Sequence, residues 1–130
     1  MTITLKQQKK VTNFVDSISW CFDLANYTRM YKFKEDPKDT DNDNTETCAD
    51  IITSHTYRSI SIRIFPPFWT QSQDEQVRIL IHELCHTITE DLYDCGSNLR
   101  QGILVTDMEL THYRERATEQ VATMLFRLGR

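Results

Sequence analysis

Ser59-Ile60-Ser61-Ile62-Arg63-Ile64-Phe65-Pro66-Pro67 runs within a few residues into Ser72-Gln73-Asp74-Glu75, and this passage decides the fold. Isoleucine alternates with serine or arginine, so every isoleucine falls on one face of an extended chain, and residues 57–65 predict a strand with one buried face. Pro66-Pro67 cannot donate to a sheet ladder and stops it. Ser72 followed by Glu75 reads as a capping box that opens a helix from about Gln73 to Glu90. Val77, Leu80, Ile81, Leu84 and Ile88 form the apolar stripe of that helix.

Upstream, Ala49–Thr53 predicts a second strand joined to the first by a Thr53-Ser54-His55 turn. Trp20, Phe22 and Leu24 alternate with Cys21, Asp23 and Ala25, which predicts another strand, and residues 27–33 extend it or begin a further one. Val11, Phe14, Val15 and Ile18 recur at helical spacing and predict a short N-terminal helix from Lys6 to about Ser17. Residues 35–47 are polar, acidic and without period, and are expected to form a mobile loop. Asp39, Asp41 and Asp43 resemble the start of a calcium loop, but Asn44 replaces its turn glycine and Asp50 its closing glutamate. Downstream, Cys95-Gly96-Ser97-Asn98 predicts a turn, and Gly102 a further break. Thr106-Asp107-Met108-Glu109 is a second capping box, opening a C-terminal helix that runs to about Leu128 and ends at Gly129.

The long helix carries His82-Glu83-Leu84-Cys85-His86, which spells H-E-x-x-H. Residues four apart on a helix stand about 40° apart around its axis, so His82 and His86 share a face and are able to grip one metal ion. Glu83 beside them is the candidate general base for a metal-bound water. Cys85 is rotated about 100° from His86 and is read as a packing residue rather than a ligand. A catalytic zinc site takes three protein ligands and leaves a position open, so one ligand remains to be found. The extension that ends in a third histidine is absent, since Thr89 and Leu92 occupy its glycine and histidine positions.

The C-terminal helix offers Leu110, Ala117, Val121, Met124 and Leu128 on one stripe, with Met108, His112, Glu115, Glu119, Ala122 and Phe126 opposite. Glu115 and Glu119 are like charges one turn apart, a pairing that a nearby cation would relieve. Glu119 is the preferred third ligand because it lies deeper along the helix, with Glu115 as the alternative ligand or a partner to a ligating histidine. His112 stays open as a fourth ligand, an oxyanion stabiliser or a surface residue, and Tyr113 reads as packing.

At 130 residues, 39% hydrophobic and 26% charged, the chain suits a single domain, 1–130. A net charge of −4 argues against dominant non-specific nucleic-acid binding. No apolar run suits a signal peptide or a membrane span, which predicts a cytoplasmic protein with no membrane partner. Four cysteines without C-x₂-C pairing predict free thiols, and exclude a zinc ribbon or a redox pair.

The order of parts, with a strand ending Ile62-Arg63-Ile64-Phe65-Pro66, then the helix bearing His82 to His86, then Glu115-Arg116-Ala117-Thr118-Glu119-Gln120-Val121-Ala122, resembles a minimal zincin. It is similar to the small gluzincin-like metallopeptidase-fold proteins of phage genomes, with SprT-like and ImmA-like proteins as more distant relatives. The likeness covers residues 20–128, without the zinc ribbon or helix-turn-helix domain that would tie it to DNA repair or repressor cleavage. It implies an α+β fold: an N-terminal helix, a sheet of three or four strands, an active-site helix and a C-terminal third-ligand helix. It also implies that residues 57–65 form an edge strand to which a peptide substrate adds. The function expected is that of a zinc metallopeptidase, with His82, His86 and Glu119 on Zn²⁺ and Glu83 as base, acting on a protein or peptide in the cytoplasm, that of the host cell if phage-encoded. The alternative is a catalytically silent zincin-fold protein that binds other proteins, and a third reading leaves both histidines as surface residues.

Overall fold

A computed structural model describes residues 2–36 and 47–129. The architecture is α+β: helix α1 (Leu5–Ile18), strands β1 (Thr28–Phe33), β2 (Ala49–Ser54) and β3 (Ser59–Ile64), then helices α2 (Gln73–Arg100) and α3 (Asp107–Leu128). A 3₁₀ turn at Pro66–Thr70 joins β3 to α2. The expected mobile loop at 35–47 and the rejected calcium pattern at Asp39, Asp41 and Asp43 fall largely outside the described residues.

Strand order is β1-β3-β2, with β1 parallel to β3 and β2 antiparallel to it. β3 is therefore central, because both of its edges are paired, and the expectation that 57–65 form an edge is corrected. The alternation in β3 works as read: Ile60, Ile62 and Ile64 are essentially inaccessible, whereas Ser59, Ser61 and Arg63 are half-buried. Their face packs with Val11 and Val15 of α1 and Leu80 and Leu84 of α2 into one apolar core. Fully burying each isoleucine stabilises the fold by about 1.5–3 kcal/mol.

The strand expected at residues 20–24 is instead a run of tight turns. Cys21, Phe22 and Asp23 donate backbone hydrogen bonds three residues back, and Leu24 donates to the Ser19 carbonyl at 2.9 Å. Neighbours Cys21 and Phe22 are both buried, which a strand with one wet face does not allow. Asp23 turns the chain with φ 60°.

α1 is capped by a reciprocal box between Thr4 and Gln7. Ser72 accepts from the Glu75 amide at 3.2 Å and Thr106 from the Glu109 amide at 3.1 Å, so α2 and α3 begin at the expected residues. α2, however, continues ten residues past Glu90, straight through the turn expected at 95–98. Its stop is Gly102, at φ 78°. The Gly102 amide donates to Leu99 at 3.1 Å and the Ile103 amide to Asn98 at 2.8 Å, the paired bonds of a Schellman motif. Among the described residues no helix is long and apolar enough to cross a membrane.

Candidate metal centre

The buried face of α2 consists of Leu80, Leu84, Thr87, Asp91 and Cys95. Ile81, expected on the apolar stripe, is exposed, while Thr87 and Asp91 are buried, so the inner face is rotated from the one that hydrophobicity alone suggests. His82 lies five residues before Thr87, about 140° around the axis, and His86 about 100°, so both rings project from the core. Both are exposed, and neither ring makes a hydrogen bond among the described residues. The rings stand edge to face, with centroids 4.9 Å apart.

Glu83 lies between the exposed and buried faces. One ligand-type atom from each of His82, Glu83 and His86 falls within 4.8 Å of the others. Tetrahedral zinc with ligands at about 2.1 Å would set its donors about 3.4 Å apart, a separation below the 4.8 Å within which these atoms lie. Burial and then the negative charge of Asp50 push the Glu83 carboxyl up to about 7. Asp50 is fixed on β2 by Arg63, whose Nε donates to it at 2.8 Å.

Two clefts meet at Glu83. One, of about 670 Å³, is lined by Glu83 and His86 of α2 together with Asp50 and Ile51 of β2 and Glu90 and Thr89. The other, of about 360 Å³, places His82 and Glu83 beside Cys48, Ala49 and Arg78. β2 thus forms the wall opposite the histidines, and among the described residues it pairs only with β3, leaving its outer edge without a strand.

Glu119 is not brought to this cluster. α3 docks on the Thr87–Asp91 side of α2, where Arg116 pairs with Asp91 at 3.2 Å, and its inward face centres on Gln120. Glu119 therefore lines a separate cleft with Tyr27, His55 and Arg58. Glu115 is exposed, 3.9 Å from Arg114, and the Nε2 of His112 meets Arg116 at 2.7 Å. The physical reason is the rotation of α2: the face that receives α3 is the one the histidines do not share.

Two carboxylates that sequence reasoning passed over do share the histidine cleft. Glu90 follows His86 by four residues, continuing the 82, 86 spacing by one turn, and burial followed by the charges of Asp94 and Asp91 raises its pKa. The spacing was the available signal. Asp50 carried none, because its approach depends on β2 lying beside α2. All four cysteines are free, and Cys85, half-buried, packs against the core as read. Compared with known proteins, the chain matches no family model, no curated protein and no solved structure.

Proposed function

We propose that the chain is a zinc-dependent metallopeptidase of the zincin type, in which His82 and His86 hold the metal and Glu83 is the general base. The observation that carries this reading is the convergence of two imidazoles, without hydrogen bonds among the described residues, with a half-buried carboxylate in one donor cluster. Two neutral imidazoles with an adjacent carboxylate fit zinc's preference for nitrogen and oxygen donors. Bound zinc supplies a Lewis acid and an acidified water. Glu83 would accept a proton from the water as its oxygen bonds to the carbonyl carbon, and would return it to the amide nitrogen as the C–N bond breaks. The outer edge of β2, beside Glu83 and unpaired among the described residues, suits an extended peptide, whose backbone would add as a further strand. The third ligand is drawn from Glu90 or Asp50, the carboxylates of the same cleft, in preference to Glu119 on the far face. The free cysteines suit a reducing compartment such as the cytoplasm.

A second reading, a metal-holding module that binds protein without turnover, is favoured by the distance of Glu119 from the histidines. Zinc content of protein purified without added metal separates the possibilities. About one zinc per chain is expected in the native protein and in Glu83→Gln, with loss in His82→Ala and His86→Ala. Glu90→Ala, Asp50→Ala and Glu119→Ala, measured in parallel, identify the third ligand as the one whose loss weakens zinc about 10–100-fold or more. Native protein free of zinc sinks the metal reading. Zinc retained without hydrolysis of an unstructured peptide library by the native chain supports the binding module.

A further inference from the structure

On the opposite side of α2 from the histidines, the 20–27 turns, the β2–β3 turn and α3 enclose a further cleft of about 400 Å³, which shares no residue with the His82, Glu83 and His86 cluster. That volume lies within the range of small-molecule sites. Gln120 projects into it from α3. This residue is the one buried position of α3, at 5% exposure, and its Nε2 donates to the Phe22 carbonyl at 3.4 Å while its Oε1 has no partner. The Phe22 carbonyl fixes the orientation of the amide, because a flipped side chain would set two acceptors against each other. A buried carbonyl oxygen without a donor carries an uncompensated desolvation cost, which a ligand N–H would offset.

Charge around the orphan oxygen is divided. Arg58 at the mouth has no ion pair among the described residues, and neither has Glu119. Arg116 is already engaged by Asp91 at 3.2 Å, and Asp23 lies 3.8 Å from Arg127. His55 forms wall rather than ligand donor. Its Nε2 contacts the Thr87 carbonyl at 2.7 Å, which only accepts, so Nε2 carries the proton and Nδ1 accepts from the Tyr27 hydroxyl at 2.6 Å. The charged lining groups without an ion pair among the described residues are therefore one guanidinium and one carboxylate, both exposed, and the buried lining group without a hydrogen bond is the Gln120 amide oxygen. Asp23 and Arg58 are also the described non-glycine residues with positive φ, at 60° and 50°, and both line this cleft. Backbone held in that region collects where a ligand is clamped.

We propose that this cleft binds a small zwitterion of the amino-acid class, its carboxylate on Arg58 and its ammonium between Gln120 Oε1 and Glu119. The inference stands independently of the metal reading, since none of His82, Glu83, His86, Asp50 and Glu90 lines this cleft. Amide NMR spectra of the full chain, at fixed ionic strength, test it with glycine, β-alanine, γ-aminobutyrate and 6-aminohexanoate, a series that varies the distance between the two charges. Acetate and ethylamine serve as single-charge controls. At least one zwitterion is expected to shift Tyr27, Arg58 and Gln120 saturably, with a Kd of about 1 mM or tighter. It should bind at least tenfold more tightly than either control, and tenfold more weakly to Arg58→Ala and to Glu119→Ala. Both variants alter exposed side chains, and their spectra report directly whether the fold is kept. Shifts that stay linear for every zwitterion to about 10 mM overturn the proposal. So does binding that matches the controls, or that survives both substitutions.

Discussion

Under the proposed function Glu83 would face two demands, because burial and Asp50 favour its neutral form while work as a base would require the charged one. Its pKa in the metal-free fold, about 7, lies above the ordinary 4.5. Between those values the unfolded chain has already released a proton that the folded chain keeps, so stability falls as pH rises through that window. Glu83→Gln removes the dependence. Measured in chelator, its melting temperature should equal that of the native protein near about pH 4 and exceed it near about pH 8. Added zinc should narrow the gap, because a cation favours the native carboxylate. Arg58 makes a separate residue-scale case. Left-handed backbone costs a non-glycine residue about 1–2 kcal/mol, and asparagine tolerates it better, so Arg58→Asn should raise unfolding free energy by about 0.5 kcal/mol in urea titration. The H-E-x-x-H spacing was legible because i and i+4 are neighbours on any helix. The orphan oxygen of Gln120 was not, because its isolation depends on Phe22, nearly a hundred residues away.

At the scale of elements, glycine meant different things at two positions in one helix. Gly96 lies inside α2 with nothing within 4 Å of an added Cβ, whereas Gly102 ends the helix at φ 78°. Gly96→Ala should therefore stabilise the protein by about 0.5–1 kcal/mol, and Gly102→Ala should destabilise it by about 1 kcal/mol or more. Urea unfolding of the two variants checks the opposite signs. A glycine in mid-helix is indistinguishable from a stop until it is known which one closes the Schellman bonds. Residues 20–24 failed as a strand for a related reason: alternation over five residues is too short to outweigh the capping turns that follow Ile18. In β3, where alternation is longer and proline marks its end, strand, face and terminus all agreed. Ile62→Ala there should cost about 2–5 kcal/mol, seen as a lower urea midpoint.

Over the whole molecule, α1, the sheet and the first half of α2 share one apolar core, while α3 is held differently. Leu125, Phe126 and Leu128 of α3 are exposed, and its fully buried residue is a glutamine. Its attachment depends on Arg116–Asp91 and the Gln120–Phe22 bond as well as on Met124 packed against the core. Native-state hydrogen exchange should therefore show α3 opening at lower free energy than β3. Arg116→Ala leaves Asp91 buried and unpaired, and should cost about 3 kcal/mol while raising exchange in α3 more than in β3. Leu110, Val121 and Leu128 share one apolar stripe of α3, yet all three are exposed. The stripe was real but weak, and the polar contacts of Arg116 and Gln120 chose the face that docks.

What the sequence determined by itself was local: the caps at Thr106 and Ser72, the alternation of β3, the stop at Pro66-Pro67, and the shared helical face of His82 and His86. Each rests on bonds or periodicities spanning a few residues, which hold in any tertiary setting. Only the tertiary structure decided that β3 is central, that Asp50 of β2 and not Glu119 faces the cleft of the histidines, and that Gln120 lies unsatisfied beside Arg58. The first rests on strand pairing and the last on the Gln120–Phe22 contact, while the second follows from the rotation of α2 about its own axis. That angle is set by the balance of burial over the whole core, with Thr87 and Asp91 turned inward and Ile81 outward, and no local pattern carries it.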